Sequence, residues 1–447
     1  MGNPHVLVIP FQAQGHLLPI MEFSQWLAKH GIKITIVNTE STHNQIVNAL
    51  AREEDIANSI RLVSCPDVYN PEEMKKLIAK MNNASSSSSS SSSEEEGVTD
   101  KISCILLDTL LSWNMEVAAE MGIRAAMITC FSATHMLTVT NLQKLIEDGV
   151  IGHDGTPKQQ MIQLSPAIPS MDTSHLGWIN LDTGESEKYA FEFALKVSKS
   201  TMLTDWVLCN STYDLEPAAF DMNPKMCPIG PLLASNRSGN IVGNLWSEDS
   251  SCLKWLDQQA TQSVIYVAFG SAATFDQTQF EEFAMALQLS NRPFLWVVRP
   301  DVANKLDDAY LKGFQDRMGT RGLIISWAPQ QKVLEHPSIA CFFSHCGWNS
   351  TIEALSNGVP LLCWPYGLDQ FYNADYICNI WKVGLGFNQD ETTTITRDEI
   401  KNKLEELLGS EKYKANALDL KEKLKNSIRE GGNSYNNFMR FVEWVKA

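Results

Sequence analysis

Short apolar runs alternate along this chain with longer segments whose apolar residues recur at helical spacing. Near the N-terminus, residues 5–11 form an apolar run that predicts a buried strand, and a polar turn follows it. Residues 17–29 then have helical spacing, and the apolar run at 32–38 predicts the next strand. A strand, a helix and a second strand are the usual opening of a doubly wound sheet, so the pattern predicts an α/β fold.

The same alternation continues through the rest of the chain. Further strands are predicted at residues 59–63, 102–107, 125–129, 207–210, 263–269, 294–299, 323–326, 339–344 and 359–364. Helices are predicted at residues 113–121, 136–147, 187–198, 277–289 and 351–356, and most of the chain from Arg397 onward has a charged, helical pattern.

Two stretches interrupt this pattern. Residues 82–97 contain nine consecutive serines followed by three glutamates, a composition that predicts a mobile surface loop. Residues 232–244 are rich in glycine, serine and asparagine, which predicts a linker between two similar α/β halves. We therefore expect an N-terminal domain at 1–235, a linker at 236–247 and a C-terminal domain at 248–427.

Composition and charge exclude several classes of protein. The 447 residues are 44% hydrophobic and 20% charged, as in a globular protein long enough for two domains. A net charge of −16 argues against binding to nucleic acid or to anionic membranes, since both need a basic surface. Ten scattered cysteines without a Cys-x-x-Cys pair predict free, buried thiols rather than disulfides or a zinc site. With no signal-peptide pattern and no apolar run of membrane-spanning length, we expect a cytoplasmic protein, and we expect a monomer.

Residues 327–370 combine two predicted strands with a polar helix start between them. A tight turn at 345–348 follows the first of these strands, and Asn349 and Ser350 lie where the next helix would take its cap. The amides at a helix start and the helix dipole favour an anion, and His345 adds a further side-chain donor. We therefore expect a phosphate or diphosphate to bind at this turn.

The same segment, WAPQQKVLEHPSIACFFSHCGWNSTIEALSNGVPLLCWPYGLDQ, resembles the signature of plant family-1 UDP-sugar-dependent glycosyltransferases over all 44 of its positions. That family implies a GT-B fold, in which two Rossmann-like doubly wound domains face a cleft. It also implies that a C-terminal helix, at about 428–447, packs back on the N-terminal domain. The expected partners are a UDP-sugar donor and a small-molecule acceptor. No metal cofactor is expected, because the chain lacks the Asp-x-Asp pair that metal-dependent sugar transferases use.

The resemblance also implies donor-binding roles, residue by residue. Uracil would stack on Trp327 and contact the backbone of Ala328, while the ribose hydroxyls would bind to two polar side chains. These ribose-binding residues are Gln330 and Glu353, the phosphate-binding residues are Ser271, His345, Gly347, Asn349 and Ser350, and the sugar-binding residues are Trp348, Asp369 and Gln370. Because Trp348 and Gln370 resemble the residues of glucose-using relatives, UDP-glucose is the expected donor.

Two residues that follow predicted strands are candidates for the catalytic chemistry. His16 lies after the first strand at the start of the first helix, and Asp108 follows the strand at 102–107. Ligands bind at this edge of open α/β sheets, where a carboxylate could hold one ring nitrogen of a histidine. Taken alone, each residue could also be a surface or capping residue. The resemblance implies that His16 is the general base and Asp108 its partner, in an inverting transfer that yields a β-glucoside.

The acceptor-binding residues are expected in the N-terminal domain, near strand ends and in the middle of the chain. The candidate wall residues are Phe11, Gln12, Phe131, Ser132, His135, Trp178 and Phe191. They are mostly apolar, which suits a phenolic, flavonoid or terpenoid acceptor, although each could equally pack the core.

Three alternative functions also use α/β folds. A nicotinamide- or flavin-dependent oxidoreductase would need a G-x-G-x-x-G turn, and the first turn instead reads FQAQGH. A hydrolase would need a Gly-x-Ser-x-Gly elbow, which the sequence does not contain. A sugar-nucleotide-binding protein without activity stays open, although the presence of both His16 and Asp108 argues against it.

Overall fold

The computed structural model describes residues 4–50, 60–87, 101–179, 183–233, 248–271, 273–387 and 394–447. The chain divides into two compact units, Met1–Leu245 with Ser427–Ala447, and Trp246–Asn426. The linker predicted at 236–247 lies outside the described residues, as do residues 88–97 of the predicted serine-rich loop. Each unit is built around a parallel sheet of its own.

The first unit contains most of the strands. They are β1 (His5–Ile9), β2 (Lys33–Asn38), β3 (Ile60–Ser64), β4 (Cys104–Asp108), β5 (Arg124–Thr129), β6 (Met161–Ile162), β7 (Met171–Asp172), β8 (Trp206–Cys209) and β9 (Met226–Pro228). Among the described residues, seven of them form a parallel sheet in the order β3-β2-β1-β4-β5-β8-β9, while β6 and β7 form a separate antiparallel pair. Because the strand order reverses between β1 and β4, the topological switch point of this sheet lies between them.

The second unit repeats this topology. Its strands are β10 (Val264–Ala268), β11 (Phe294–Val297), β12 (Gly322–Ile325), β13 (Ile339–Ser344), β14 (Leu361–Cys363) and β15 (Gly384–Gly386). They are parallel, and their order across the described part of the sheet is β12-β11-β10-β13-β14-β15. The switch point therefore lies between β10 and β13, whose registered pairs include Val267 and Phe343.

Helices alternate with the strands in both units, and the chain ends with helices that follow the last strand. In the first unit they are Gln14–Lys29, Glu40–Leu50, Pro71–Ser87, Asn114–Glu120, Ala133–Thr140, Leu142–Glu147, Gly184–Ser200, Pro217–Met222 and Asn433–Lys446. Those of the second unit are Ser251–Leu256, Gln277–Leu289, Pro300–Ala303, Asp308–Met318, Gln330–Glu335, Trp348–Asn357, Gln370–Asp375 and Arg397–Gly409, and Glu411–Ile428 runs from the second unit into the first.

The central strands of both sheets are buried along their whole length, including β1, β4, β10 and β13. Helices cover both faces of such sheets, which is why these strands appear in the sequence as continuous apolar runs. The predicted strand at 339–344 and the predicted helix at 277–289 coincide with the observed elements. The predicted α/β class, with two Rossmann-like doubly wound domains, is confirmed.

The last helix, Asn433–Lys446, belongs to the core of the first unit. Its apolar residues Phe438, Phe441, Val442 and Val445 are buried there, and their spacing places them on one helical face. The ring of Phe441 lies 5.7 Å from that of Phe23 in the first helix of the chain. The C-terminal helix thus packs in the same hydrophobic core as the first helix of the chain.

Two local predictions from the pattern were wrong. The helix predicted at 136–147 is two helices, because Asn141 leaves the helical conformation and its side-chain amide donates to the Leu137 carbonyl at 2.8 Å. The loop predicted at 82–97 was wrong for its first residues, since the helix Pro71–Ser87 includes residues 82–87. Buried Met74, Ile78 and Met81 lie on one face of that helix and anchor it to the core.

The state of the cysteines and the length and polarity of the helices agree with what the sequence predicted. All ten cysteines are free, and nine of them are buried. Within the described residues, every helix is too short or too polar to cross a membrane.

Candidate functional site

His16 and Asp108 meet at the switch point of the first sheet. His16 lies in the first turn of the helix after β1, and Asp108 is the last residue of the adjacent strand β4. The distance between His16 Nδ1 and Asp108 Oδ2 is 2.8 Å, and the aspartate side chain is fully buried. Asp108 Oδ1 also accepts a hydrogen bond from the Leu110 amide at 2.8 Å, which fixes the carboxylate. Since Nδ1 faces an acceptor, Nε2 is the ring nitrogen left to accept a proton.

Aromatic rings flank His16 on two sides. The ring centroid of Phe11 lies 5.3 Å from that of His16 and the centroid of Phe131 lies 5.2 Å from it, both edge-on. His135 in turn lies 5.1 Å from Phe131, and burial lowers the pKa of His135 to about 4, so this second histidine is neutral at neutral pH. Two of the predicted acceptor-wall residues therefore flank the predicted base, and a third contacts one of these two.

Two polar residues of the predicted wall form hydrogen bonds within the chain. Ser132 is buried at the start of the helix Ala133–Thr140, where its hydroxyl accepts from the His135 amide at 3.3 Å. The Gln12 side-chain amide donates to the Pro10 carbonyl at 2.6 Å. Gln12 thus stabilises the loop after β1, and Ser132 caps the helix that follows β5.

Trp178 and Phe191 pack on each other. Their ring centroids are 5.3 Å apart, both side chains are buried, and Trp178 Nε1 donates to the Gly155 carbonyl at 2.9 Å. Within the described residues, their ring contacts do not lead to His16, so their role in acceptor binding stays a prediction.

A chain of aromatic residues that sequence reasoning missed leads away from Phe11. Tyr69 lies 6.2 Å from Phe11, Trp113 lies 6.3 Å from Tyr69, and Phe193 lies 5.8 Å from Trp113. Tyr69 is 43% exposed. Their positions in the sequence could have indicated a role at this edge of the sheet. Tyr69 follows the carboxyl end of β3, and Trp113 follows that of β4.

One cluster in the described part of the chain has the composition of a metal site. Ligand atoms of His16, Asp108 and Cys130 lie within 4.8 Å of one another, and imidazole, carboxylate and thiolate are all zinc ligands. The direct hydrogen bond between His16 and Asp108 already uses one ring nitrogen and one carboxylate oxygen. The metal-free site expected from the sequence stays a prediction.

The predicted donor-site residues follow four strands of the second sheet. Ser271 follows β10, the segment with Trp327, Ala328 and Gln330 follows β12, the segment from His345 to Glu353 follows β13, and Asp369 and Gln370 follow β14. Since these strands are parallel, their carboxyl ends meet at one edge of the sheet.

His345 lies between two glycines at this edge. Gly270 has a φ of +71°, and a Cβ on it would lie 2.4 Å from His345 Nε2. A Cβ on Gly347 would also lie 2.4 Å from that atom. Burial lowers the pKa of His345 to about 4, against the opposing effect of the Ala268 carbonyl, so the ring is a neutral N–H donor at neutral pH.

The helix Trp348–Asn357 begins three residues before the predicted start at residue 351. Gly347 occupies the cap position, and no side chain caps the helix, so the prediction that Asn349 and Ser350 are cap residues was wrong. The left-handed φ of 64° at Cys346 turns the chain directly into the helix and places both residues in its first turn. An uncapped helix start with polar residues in its first turn still suits an anion.

A buried hydrogen-bond network surrounds Glu353. Gln330 Nε2 donates to Glu353 Oε2 at 2.6 Å and to Ser350 Oγ at 2.9 Å, and Gln331 Nε2 donates to Glu353 Oε1 at 3.1 Å. Burial raises the pKa of Glu353 to about 7, although both amide donors act to lower it. The carboxylate is therefore held at both oxygens. Gln331 was not among the predicted residues, and only its position next to Gln330 pointed to it.

The remaining predicted donor residues differ in their surroundings. Trp327 is half-buried and its carbonyl accepts from the Asp249 amide at 2.9 Å, while Ala328 is buried. Trp348 is buried, with its ring centroid 6.4 Å from that of Trp381. Trp348 thus lies at the helix start and also contacts another aromatic ring.

Asp369 and Gln370 lie at the start of the helix Gln370–Asp375. Gln370 Oε1 accepts from the amides of Tyr366 at 2.7 Å and Gly367 at 3.1 Å. Asp369 Oδ2 accepts from Asn373 Nδ2 at 3.0 Å. The Gln370 carbonyl oxygen therefore holds the preceding loop, which leaves its amide nitrogen as the group that could donate to a ligand.

A buried arginine supports the glycine next to His345. Arg299 Nη1 donates to the Gly270 carbonyl at 2.6 Å, and the same guanidinium forms an ion pair with Asp301 at 2.9 Å. Sequence reasoning missed Arg299, although a charge directly after an apolar run was a signal for a residue at the edge of the sheet.

Comparison with known proteins adds a second line of evidence. Residues 188–427 match the family model described as UDP-glucoronosyl and UDP-glucosyl transferase. UDP-glycosyltransferase 83A1 of Arabidopsis thaliana is 41% identical, and the match covers 100% of this chain and 98% of that protein.

Solved structures resemble the whole chain as well. Os79 from O. sativa in complex with UDP has a TM-score of 0.79 and 28% identity, covering 98% of this chain and 100% of its own. Phytolacca americana UGT2, complexed with UDP-2fluoro-glucose and pterostilbene, has a TM-score of 0.81 and 26% identity, covering 99% of this chain and 100% of its own. The similarity therefore extends over both units.

Proposed function

This chain belongs to the UDP-glucuronosyl and UDP-glucosyl transferase family, and from that premise we propose that it transfers glucose from UDP-glucose to a hydroxyl of a small lipophilic acceptor. It is a glycosyltransferase of the plant family-1 type, and its two Rossmann-like domains are those of the GT-B fold. The family membership does not by itself fix the sugar, the acceptor class or the catalytic residues, and these three are proposals.

The 2.8 Å hydrogen bond between His16 and Asp108 carries the catalytic part of the proposal. His16 Nε2 takes the proton from the acceptor hydroxyl, whose oxygen forms a bond to the anomeric carbon from the face opposite UDP. The bond from that carbon to the phosphate oxygen breaks, and UDP leaves with the electron pair. Asp108 stabilises the imidazolium formed at His16, and the product is a β-glucoside.

The second unit supplies the groups for the leaving diphosphate. His345 is a neutral donor, the helix start at Trp348 favours an anion, and Asn349, Ser350 and Ser271 add polar groups at the same sheet edge. Donors fixed in place before the reaction stabilise developing charge without reorganising. We propose that they do so without a metal ion.

The remaining donor-site residues lie on segments that follow strands at the same edge of the sheet. Trp327 and Ala328 bind uracil, and Gln330 and Glu353 bind the ribose. Trp348, Asp369 and Gln370 bind the sugar, where the fixed Gln370 amide donates to a hydroxyl. The UDP-2fluoro-glucose in the Phytolacca americana structure supports glucose as the sugar.

The aromatic residues around His16 support a flat, apolar acceptor. Phe11 and Phe131 flank the base, and Tyr69, Trp113 and Phe193 continue the aromatic surface from Phe11. Such rings bind phenolic, flavonoid or terpenoid molecules through apolar contact, with the reacting hydroxyl directed at His16.

The test is the release of UDP from UDP-glucose in the presence of a panel of phenolic, flavonoid and terpenoid acceptors, with pterostilbene included. UDP-galactose and the His16→Ala variant serve as controls. We expect acceptor-dependent release that prefers UDP-glucose and is lost with His16→Ala. UDP binding without release from any acceptor would instead favour a sugar-nucleotide-binding protein, and equal release in the variant would refute the role of His16.

A further inference from the structure

Tyr266 connects the core of the second sheet to the proposed ribose site. It lies in β10, a strand of otherwise apolar residues, with 1% of its surface exposed. Its ring stacks on Phe342 of the neighbouring strand with 4.8 Å between centroids. Its hydroxyl lies 3.0 Å from Gln330 Oε1. A residue so deeply buried can affect a ligand only through the side chain that it contacts.

The chemistry of the partners fixes the direction of each hydrogen bond. An ionised Glu353 carboxylate only accepts, so the Gln330 amide nitrogen must face it and Ser350. Gln330 Oε1 then faces Tyr266, whose hydroxyl must donate. If the Gln330 amide were flipped, its carbonyl oxygen would face the Glu353 carboxylate, and two acceptors would oppose each other. Tyr266 therefore selects one of the two orientations of the Gln330 amide.

We propose that Tyr266 is a positioning residue for the donor ribose, acting through Gln330 on Glu353. This inference rests on the proposed use of a UDP-sugar. Gln330 and Gln331 hold one carboxylate oxygen of Glu353 each. The carboxylate is thereby oriented before the ligand arrives, and its remaining lone pairs can accept from the two neighbouring hydroxyls of a ribose.

Removing the Tyr266 hydroxyl would leave Gln330 Oε1 without its donor in a partly buried place. An unsatisfied buried acceptor is costly, and the amide would gain access to its second orientation. Glu353 would then lose part of its alignment. We expect Tyr266→Phe to weaken UDP binding by about ten-fold, which is the effect of losing one well-made buried hydrogen bond.

The experiment measures binding of UDP and of 2′-deoxy-UDP by calorimetry to the wild-type protein and to Tyr266→Phe. The wild type should prefer UDP, and the variant should lose most of that preference, because Tyr266 acts through Gln330 and Glu353 on contacts that include the 2′-hydroxyl, which 2′-deoxy-UDP lacks. Tyr310→Phe is the matched control, since Tyr310 lies in the same unit and packs on Phe280 instead. This control should keep the wild-type preference.

Kinetics give a second readout. Ribose contacts are the same in the ground state and the transition state, so Tyr266→Phe should raise KM for UDP-glucose and leave kcat nearly unchanged. Equal weakening of both nucleotides, or an unchanged preference for UDP, would refute the positioning role of Tyr266. A wild-type protein that binds neither nucleotide would refute the proposed function itself.

Discussion

The two units have the same sheet topology and different chemistry at their switch points. In the first unit, the histidine that follows β1 faces a carboxylate on β4, with 2.8 Å between Nδ1 and Oδ2. In the second unit, the histidine that follows β13 faces a glycine that follows β10. The partner across the switch point thus decides what the imidazole can do. A carboxylate stabilises the protonated ring, while a buried place beside glycines keeps the ring neutral.

This difference matches two separate tasks of one reaction. A base must gain a proton and hold the resulting charge, which His16 can do next to Asp108. A diphosphate site needs fixed donors that do not titrate near neutral pH, and the pKa of His345 is lowered to about 4. In the proposed reaction, the same fold would support proton transfer in one unit and anion binding in the other.

The largest expected effect is at the first switch point. His16→Ala should lower kcat by about 10²- to 10⁴-fold, because the proposed base would be missing. Asp108→Asn should act in the same direction, since an amide cannot stabilise the imidazolium. Steady-state kinetics test this, with UDP affinity as the control, because the proposed donor residues all belong to the second unit. A His16→Ala variant with kcat within ten-fold of the wild type would contradict the assignment of the base.

At the second switch point, Gly270→Ala should weaken UDP binding by about ten- to hundred-fold. Its methyl group would lie 2.4 Å from His345 Nε2 and would displace the ring. Gly319→Ala is the matched control, because Gly319 also has a positive φ, of 55°, but a Cβ there would meet nothing within 4 Å. Calorimetric affinities that fall equally in both variants would show that backbone strain, and not the contact with His345, causes the loss.

The two switch points were predictable from the sequence to different degrees. Asp108 and His16 follow apolar runs that form adjacent strands, so their pairing could be expected from topology. The start of the helix at Trp348 could not, because it depends on the left-handed conformation of Cys346. Tyr266 lies within an apolar run, where the pattern indicates only a core residue.

Which side chains contact each other is harder to predict from the sequence than where the strands lie. Trp178 and Phe191 follow the expected pattern of a pocket wall, yet they contact each other in a buried pair. Arg299 was missed because its partner, the Gly270 carbonyl, is a backbone group that no sequence pattern marks. Three-dimensional contacts of this kind appear only once the chain is folded.

A pH dependence should distinguish the second unit from the first. The pKa of Glu353 is raised to about 7, mainly by burial and partly by the nearby charge of Glu248. In the proposed complex the ionised form accepts from both ribose hydroxyls, so affinity for UDP-glucose should fall by up to about ten-fold from pH 8 to pH 6. Over this range His345 stays neutral, because its pKa is about 4. Calorimetry on the His16→Ala protein avoids turnover, and Glu353→Gln should flatten the dependence.

The raised pKa of Glu353 also makes the free energy of unfolding depend on pH. A carboxyl whose pKa is higher in the folded state than in the unfolded state binds its proton more tightly when folded. The stability that Glu353 contributes is therefore complete below about pH 4 and is lost as the pH rises through about 7. Bound donor should oppose this loss by lowering the pKa of Glu353, with release of a proton on binding. Calorimetry in buffers of different ionisation enthalpy would detect that proton, and its absence at pH 6.5 would contradict a ribose contact at Glu353.

The smallest expected effect separates the two contacts of Arg299. Arg299→Met should raise KM for UDP-glucose by about three- to five-fold, because the Gly270 carbonyl loses its donor and the turn beside His345 loosens. Asp301→Asn should change KM by less than about two-fold, since the Asp301 side chain is 52% exposed and exposed ion pairs contribute little. If Asp301→Asn were as damaging as Arg299→Met, the ion pair and not the Gly270 contact would support the turn. The second switch point would then depend on a charge pair.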